Sequence, residues 1–269
     1  MSAATLNPHG LDSHTVAFYQ RAIGVLQDAD VPFLVGGAYA LACYAGITRH
    51  TKDFDIFVRP RDCQRVLETL AAAGYDTELT FPHWLGKAYQ DDTFIDVIFS
   101  SGNGVAAVDD EWFTHAVDAE VFDASVRLCP AEEMIWSKSF VVERERYDGA
   151  DINHLLHACA SSLDWCRMLR RFNSNWRVLL SHLILFGFVY PAERAKVPAW
   201  VLTDLLNRLQ SEIATPTPDE HLCRGTLLSR EQYLVDIGRW GYEDARLQPR
   251  GPMSARDIAH WTAAIHTDK

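Results

Sequence analysis

Residues 33–58 read F-L-V-G-G-A-Y-A-L-A-C-Y-A-G-I-T-R-H-T-K-D-F-D-I-F-V. The apolar run Pro32 to Val35 predicts a short strand, which Gly36-Gly37 breaks. The small apolar run Ala38 to Ala45 predicts a helix that Gly46 ends. Asp53 to Val58 predicts a second strand. A Gly-Gly turn between strand and helix lets the backbone approach a ligand closely, because no Cβ stands in the way. The helix behind it aims free N–H groups at the turn, which favours phosphate. It is not a P-loop, since no Gly-Lys-Ser/Thr follows.

In D-F-D-I-F-V the side chains alternate, so Asp53 and Asp55 share one side and Phe54, Ile56 and Val58 the other. Stacked carboxylates repel unless a cation lies between them or water solvates a strand end. A third acid, Asp96, sits in the otherwise apolar F-I-D-V-I-F, where a lone charge is costly unless paired or bound to a metal. Alone, Asp96 reads equally as a strand-edge residue. If its strand neighbours the first, three carboxylates converge beside the glycine turn. Such oxygen ligands suit Mg²⁺ or Mn²⁺. Two such ions about 3.5–4 Å apart clamp an in-line displacement at phosphorus.

Outward from this stretch, Ser13 to Asp28 predicts a helix with Ser13 as N-cap, and Pro60 to about Ala73 another, stopped by Gly74. Strand-like runs follow at Tyr75 to Thr80, Leu85 to Gln90 and Thr93 to Phe99, with one more at Ser125 to Leu128. The pattern then turns helical over Pro130 to Glu143, Asp148 to Cys159, Leu163 to Arg171, Ser174 to Tyr190 and Pro198 to Ile213. A Pro-rich loop follows at 214–220, and beyond His221 no pattern is legible. The expected division is 1–128 and 129–269.

Composition bounds the partners. Of 269 residues, 48% are apolar and 23% charged, as in an ordinary globular chain able to bury a full core. Lys+Arg number 25 against 36 Asp+Glu, a net charge of −11, which argues against broad non-specific binding to nucleic acid. The six cysteines form no C-x-x-C pair and read as buried, reduced thiols. Met1 to Gly10 lacks the pattern of a signal peptide, and the thirteen residues Val178 to Tyr190 are too short to span a bilayer. The expectation is a cytoplasmic protein without a membrane partner.

The segments V-G-G-A-Y-A-L, I-T-R-H-T-K-D-F-D-I-F-V and F-I-D-V-I-F together resemble the nucleotidyltransferase superfamily with a DNA polymerase β-type core. Within it, R-x-T-x-D-x-D is similar to the bacterial minimal and AbiE-type toxin nucleotidyltransferases. The resemblance covers residues 15–155. It implies an α+β fold, a mixed β-sheet with flanking helices followed by a mostly α-helical half that completes the active-site cleft. It implies transfer of a nucleoside monophosphate from an NTP to an acceptor hydroxyl, with Mg²⁺ (or Mn²⁺) and release of pyrophosphate. Gly36 and Gly37 would hold the triphosphate. Asp53 and Asp55 would ligate both metals, and Asp96 the catalytic one, taking the proton of the attacking hydroxyl. Arg49 and Lys52 would touch phosphate, or simply be solvated loop charges. Downstream, E-E-M-I-W-S-K-S-F-V-V-E-R-E-R-Y-D-G-A-D resembles a Lys-then-Arg-then-D-x-x-D segment of AbiE-type relatives. Lys138 would pair with the triphosphate or snorkel at the surface. Asp151 would line the site or cap its helix.

The acceptor stays open among RNA such as a tRNA 3′ end, a small antibiotic-type molecule and a protein side chain. An antitoxin is a conceivable partner, and a catalytically idle nucleotide-binding module is the alternative to an enzyme. Arg167, Arg170, Arg171 and Arg177, interleaved with Phe172 and Trp176, give residues 163–177 a net charge of +3 and mark where RNA would lie, against a helix corner with solvated arginines. Trp200, Trp240 and Trp261 are expected as core anchors.

Overall fold

The computed structural model describes residues 5–6, 11–48, 51 and 53–264. The elements run, in chain order, β1 (Thr5–Leu6), α1 (Ser13–Asp28), β2 (Leu34–Val35), α2 (Gly37–Ala45), β3 (Asp53–Phe57), α3 (Pro60–Ala72), β4 (Asp76–Phe81), β5 (Leu85–Gln90), β6 (Thr93–Ile98), α4 (Asp110–Thr114), β7 (Val117–Val121) and β8 (Ala124–Leu128). They continue with α5 (Ala131–Lys138), α6 (Gly149–Cys159), α7 (Trp165–Phe172), α8 (Trp176–Val189), α9 (Ala199–Ile213), β9 (Leu222–Cys223), α10 (Leu234–Gly238), β10 (Glu243–Asp244) and α11 (Ala255–Ala263). Two compact units result: Met1–Pro130 with Ala255–Lys269, and Ala131–Ser254.

The first unit is built on an eight-stranded mixed sheet of order β1-β7-β8-β2-β3-β6-β5-β4. At its centre β3 and β6 run parallel, while β5 returns antiparallel beside β6. On β3, Phe54 and Ile56 are buried; on β6, Ile95 and Val97. This apolar face packs under α1 and α3, whose buried residues recur at helical spacing: Phe18, Ala22, Ile23 and Leu26, then Cys63, Val66, Leu67 and Leu70. Phe54 lies 4.9 Å from the Tyr19 ring and 5.4 Å from Tyr39 by centroids, so the underside of β3 is an aromatic core.

The N-cap of α1 is Asp12, not Ser13: its carboxylate accepts from the Thr15 N–H and hydroxyl, both at 2.8 Å. The hairpin β7–β8 turns through Phe122 and Asp123, with φ of 53° and 58°. The C-terminal α11 belongs to this unit, with Trp261 against Gly102, where a Cβ would stand 2.5 Å from the indole.

In the second unit the helix expected to reach Glu143 ends at Lys138. The chain turns back instead through a bridge between Val142 and Tyr147, closed by Glu143 N–H donating to Arg146 O at 2.8 Å. The β-branched pair Val141-Val142 suits that extended return better than a helix. Trp200 and Trp240 are 49% and 60% exposed, so neither anchors a core. Of the cysteines, Cys166 is exposed, and all six are free thiols. Among the described residues no helix is long and apolar enough to cross a membrane.

Candidate active site

The glycine turn and the carboxylate strand are pressed together. Gly36 N–H donates to Asp55 O at 3.0 Å, and a Cβ on Gly36 would lie 2.2 Å from the Phe57 ring. Gly37 opens α2 with φ +55°, and a Cβ there would lie 1.7 Å from Asp55 Oδ2. Close approach calls for glycine at both positions, and at Gly37 the positive φ does so as well. The start of α2 is thereby set directly against the Asp55 carboxylate.

Strand pairing brings the third acid into line. Asp55 stands opposite Asp96 in the parallel β3–β6 register, Asp96 opposite Lys87 in β6–β5, and Lys87 opposite Glu78 in β5–β4. Directly paired residues share a face, so Asp55, Asp96, Lys87 and Glu78 form one row across four strands. Asp53, two residues before Asp55, lies on that same face. Lys87 Nζ is 2.9 Å from Asp96 Oδ1 and 4.1 Å from the Phe94 ring centroid. The contact is an ion pair without well-aligned hydrogen-bond geometry. Burial pushes the Asp96 carboxyl above the ordinary range; Lys87 opposes that shift and Asp53 adds to it. Tyr39, on the first turn of α2, is raised by burial and then by Asp55 and Asp53.

These residues fit a divalent cation by donor chemistry: hard carboxylate oxygens on one face, beside a backbone cradle a Cβ would fill. Among the described residues no three His, Cys, Asp or Glu side chains already close on one point as metal ligands do. Like charges on one face repel, and the Asp96 carboxylate is paired with Lys87. Arg49 and Lys52 lie outside the described residues. Sequence reading missed Lys87 and Glu78, although L-G-K-A-Y-Q alternates with Lys87 and Tyr89 on one side.

Residues 20–127, which span this turn and all three aspartates, match the family model of aminoglycoside-2''-adenylyltransferase. Over these residues, about two fifths of the chain, the assignment is to a nucleotidyltransferase-type core. Solved structures with partial likeness to this chain include the antibiotic-resistance factor ANT(2'')-Ia, at 18% identity over 64% of this chain and 98% of that one, TM-score 0.45. The lincosamide antibiotic adenylyltransferase LnuA follows at 16% identity over 53% and 96%, TM-score 0.38. A nucleotidyltransferase-like protein of Paracoccidioides brasiliensis reaches 13% over 69% and 93%, TM-score 0.44. No curated protein sequence matches. With every one of these scores under 0.5, the assignment rests on the family match across the core together with the glycine turn and acidic strands.

The remaining residues singled out by sequence lie in the second unit. Lys138 Nζ sits 2.9 Å from Asp148 Oδ2 and 2.8 Å from Asp151 Oδ2, and Arg146 Nε is 3.0 Å from Asp148 Oδ1. Burial alone would raise the Asp148 carboxyl, but Arg146 and Lys138 hold it below its ordinary value. Lys138 therefore clamps the return of the chain onto α6, between two largely buried carboxylates.

Half of the arginine stretch is turned inward. Arg167 Nη2 lies 2.6 Å from Glu132 Oε2, and Arg171 Nε 3.1 Å from Glu133 Oε1, with Arg167 and Glu133 only 4% and 0% exposed. Arg177 pairs with Glu212, and Trp176 is buried. Arg167 and Arg171 thus belong to a buried ion network joining α5 to α7, while Arg170 and Arg177 stay exposed.

Proposed function

We propose that this chain is a nucleotidyltransferase that moves a nucleoside monophosphate from an NTP, with ATP the first candidate, to a hydroxyl of a small antibiotic-type molecule. The observation that carries the reaction is the alignment of Asp55 with Asp96 on one sheet face, with Gly37 packed against Asp55. Asp53, Asp55 and Asp96 would hold the divalent cation. Bound there, it neutralises charge on the reacting phosphate and the departing pyrophosphate. The Gly36-Gly37 turn and the first N–H groups of α2 receive the triphosphate. The acceptor oxygen bonds to the α-phosphorus as the bond to the β-phosphate oxygen breaks, and pyrophosphate leaves. Asp96, whose burial raises its affinity for a proton, takes the one released by the acceptor hydroxyl.

Two observations favour a small acceptor over RNA. The family model covering the core describes an aminoglycoside-modifying enzyme. Arg167 and Arg171, counted on for RNA, are spent on buried glutamates. The test is incubation with each α-labelled NTP and Mg²⁺, offering an aminosugar and lincosamide panel in one arm and total RNA in the other. Label is expected on a small acceptor, and lost in Asp53→Ala. Label on RNA alone overturns the acceptor assignment; no label and no pyrophosphate in any arm leaves an idle nucleotide-binding module.

A further inference from the structure

We propose that Lys87 is a positioning residue for the metal site, handed between Asp96 and Glu78 as a divalent cation comes and goes. The inference rests on the proposed cation-binding role of Asp53, Asp55 and Asp96. Lys87 is the one cation in a row of four, flanked by acids on both sides: Glu78 on β4, Lys87 on β5, Asp96 on β6 and, beyond it, Asp55 on β3. Its ammonium lies on Asp96, 2.9 Å from Oδ1, with the Phe94 face 4.1 Å beneath it. A cation shared by Asp55 and Asp96 must face that ammonium across a single carboxylate, and the two positive charges repel.

Lys87 has somewhere to go. On its far side, directly paired with it, stands Glu78, an ionised acceptor whose carboxyl is held low by hydrogen bonds from Tyr89 and Thr80 and, after the cost of burial, by the charge of Lys87 itself. Glu78 Oε1 accepts from the Tyr89 hydroxyl at 2.5 Å and from the Thr80 hydroxyl at 2.8 Å, so the acceptor is fixed in place rather than free to follow the lysine. A four-carbon ammonium stem can swing between two carboxylates that flank it, at little cost in side-chain strain. Glu78, which touches no reacting atom, thus sets cation affinity by providing the second station for Lys87.

The test is a double-mutant cycle read by Mn²⁺ binding, with free Mn²⁺ followed by electron paramagnetic resonance and no turnover required. Glu78→Gln keeps the shape of a side chain already exposed on an edge strand. It is expected to weaken Mn²⁺ binding roughly threefold, the scale of a partly screened charge pair. In a Lys87→Met background the same substitution is expected to change nothing, because there is no ammonium left to receive. Should Lys87→Met melt near room temperature, Lys87→Gln serves as the background. Wild-type affinity in Glu78→Gln overturns the hand-over. So does an undiminished loss in the Lys87→Met background, since Glu78 would then act on the cation directly. A wild-type chain that binds no Mn²⁺ fails at the earlier step, the assignment of the three aspartates to a cation, and is distinguishable from both.

Discussion

Replacing Gly37 by Ala separates two effects that the glycine turn combines. The first is conformational: Gly37 has φ +55°, and a side chain in that region costs about 1–2 kcal/mol. The second is steric: the new Cβ would stand 1.7 Å from Asp55 Oδ2, where contacts under 3.0 Å do not survive. The carboxylate must therefore retreat by at least the difference, 1.3 Å, away from the turn. A displacement near 1 Å at a reacting centre costs on the order of 10²-fold in rate. Gly46 isolates the first effect. It caps α2 with φ +68°, and a Cβ there would meet nothing within 4 Å. Gly46→Ala should melt a few degrees low, at about 2–4 °C per kcal/mol, and keep wild-type Mn²⁺ affinity and pyrophosphate release. Gly37→Ala should show a comparable or larger fall in melting temperature and lose both functions. Equal behaviour of the two variants in the Mn²⁺ titration would show that Asp55 is not held by the turn, and the reasoning from close approach would fall.

Asp96 carries a folded-state pKa above its unfolded value, so its favourable contribution is complete below about pH 3.8 and is lost as pH rises towards the folded value. Asp96→Asn should therefore be more stable than wild type at pH 7, with the gap closing towards pH 4 in a series of thermal melts, while nucleotide transfer is abolished. Asp148 behaves in the opposite sense: held low by Arg146 and Lys138, it stabilises the fold above its unfolded pKa, and that stability is lost as pH falls through its depressed folded value. Lys138→Met should cost about 3 kcal/mol at neutral pH, as expected for breaking a buried pair, and bring acid unfolding to a higher pH. Arg171→Ala should lower the melting temperature by leaving Glu133 underpaired in the interior, yet leave any retention of single-stranded RNA in a mobility shift at the wild-type level.

The parts of the molecule legible in the sequence are those where one physical rule acts alone. Alternation placed β5 at Leu85–Gln90 and put Asp53 and Asp55 on one side of β3; helical periodicity bounded α1 at Ser13–Asp28. β8 was legible from Ser125 to Leu128, but its hairpin partner β7 escaped because the turn residues, Phe122 and Asp123, hold positive φ without the glycine that announces such a turn. The second unit misled where charge was read without its partners. Four arginines within a short stretch look basic, but Glu132 and Glu133, more than thirty positions away, neutralise the two that face inward. The same limit hid the most informative residue of the site. That Asp96 needs a positive neighbour follows from one lone acid in an apolar strand; that the neighbour is Lys87 depends on which strands pair and in what register, and no local pattern encodes it. An apolar run broken by one acid is thus a question the sequence poses and only the sheet answers. Here the answer is a lysine already on the acid, which any incoming cation must displace.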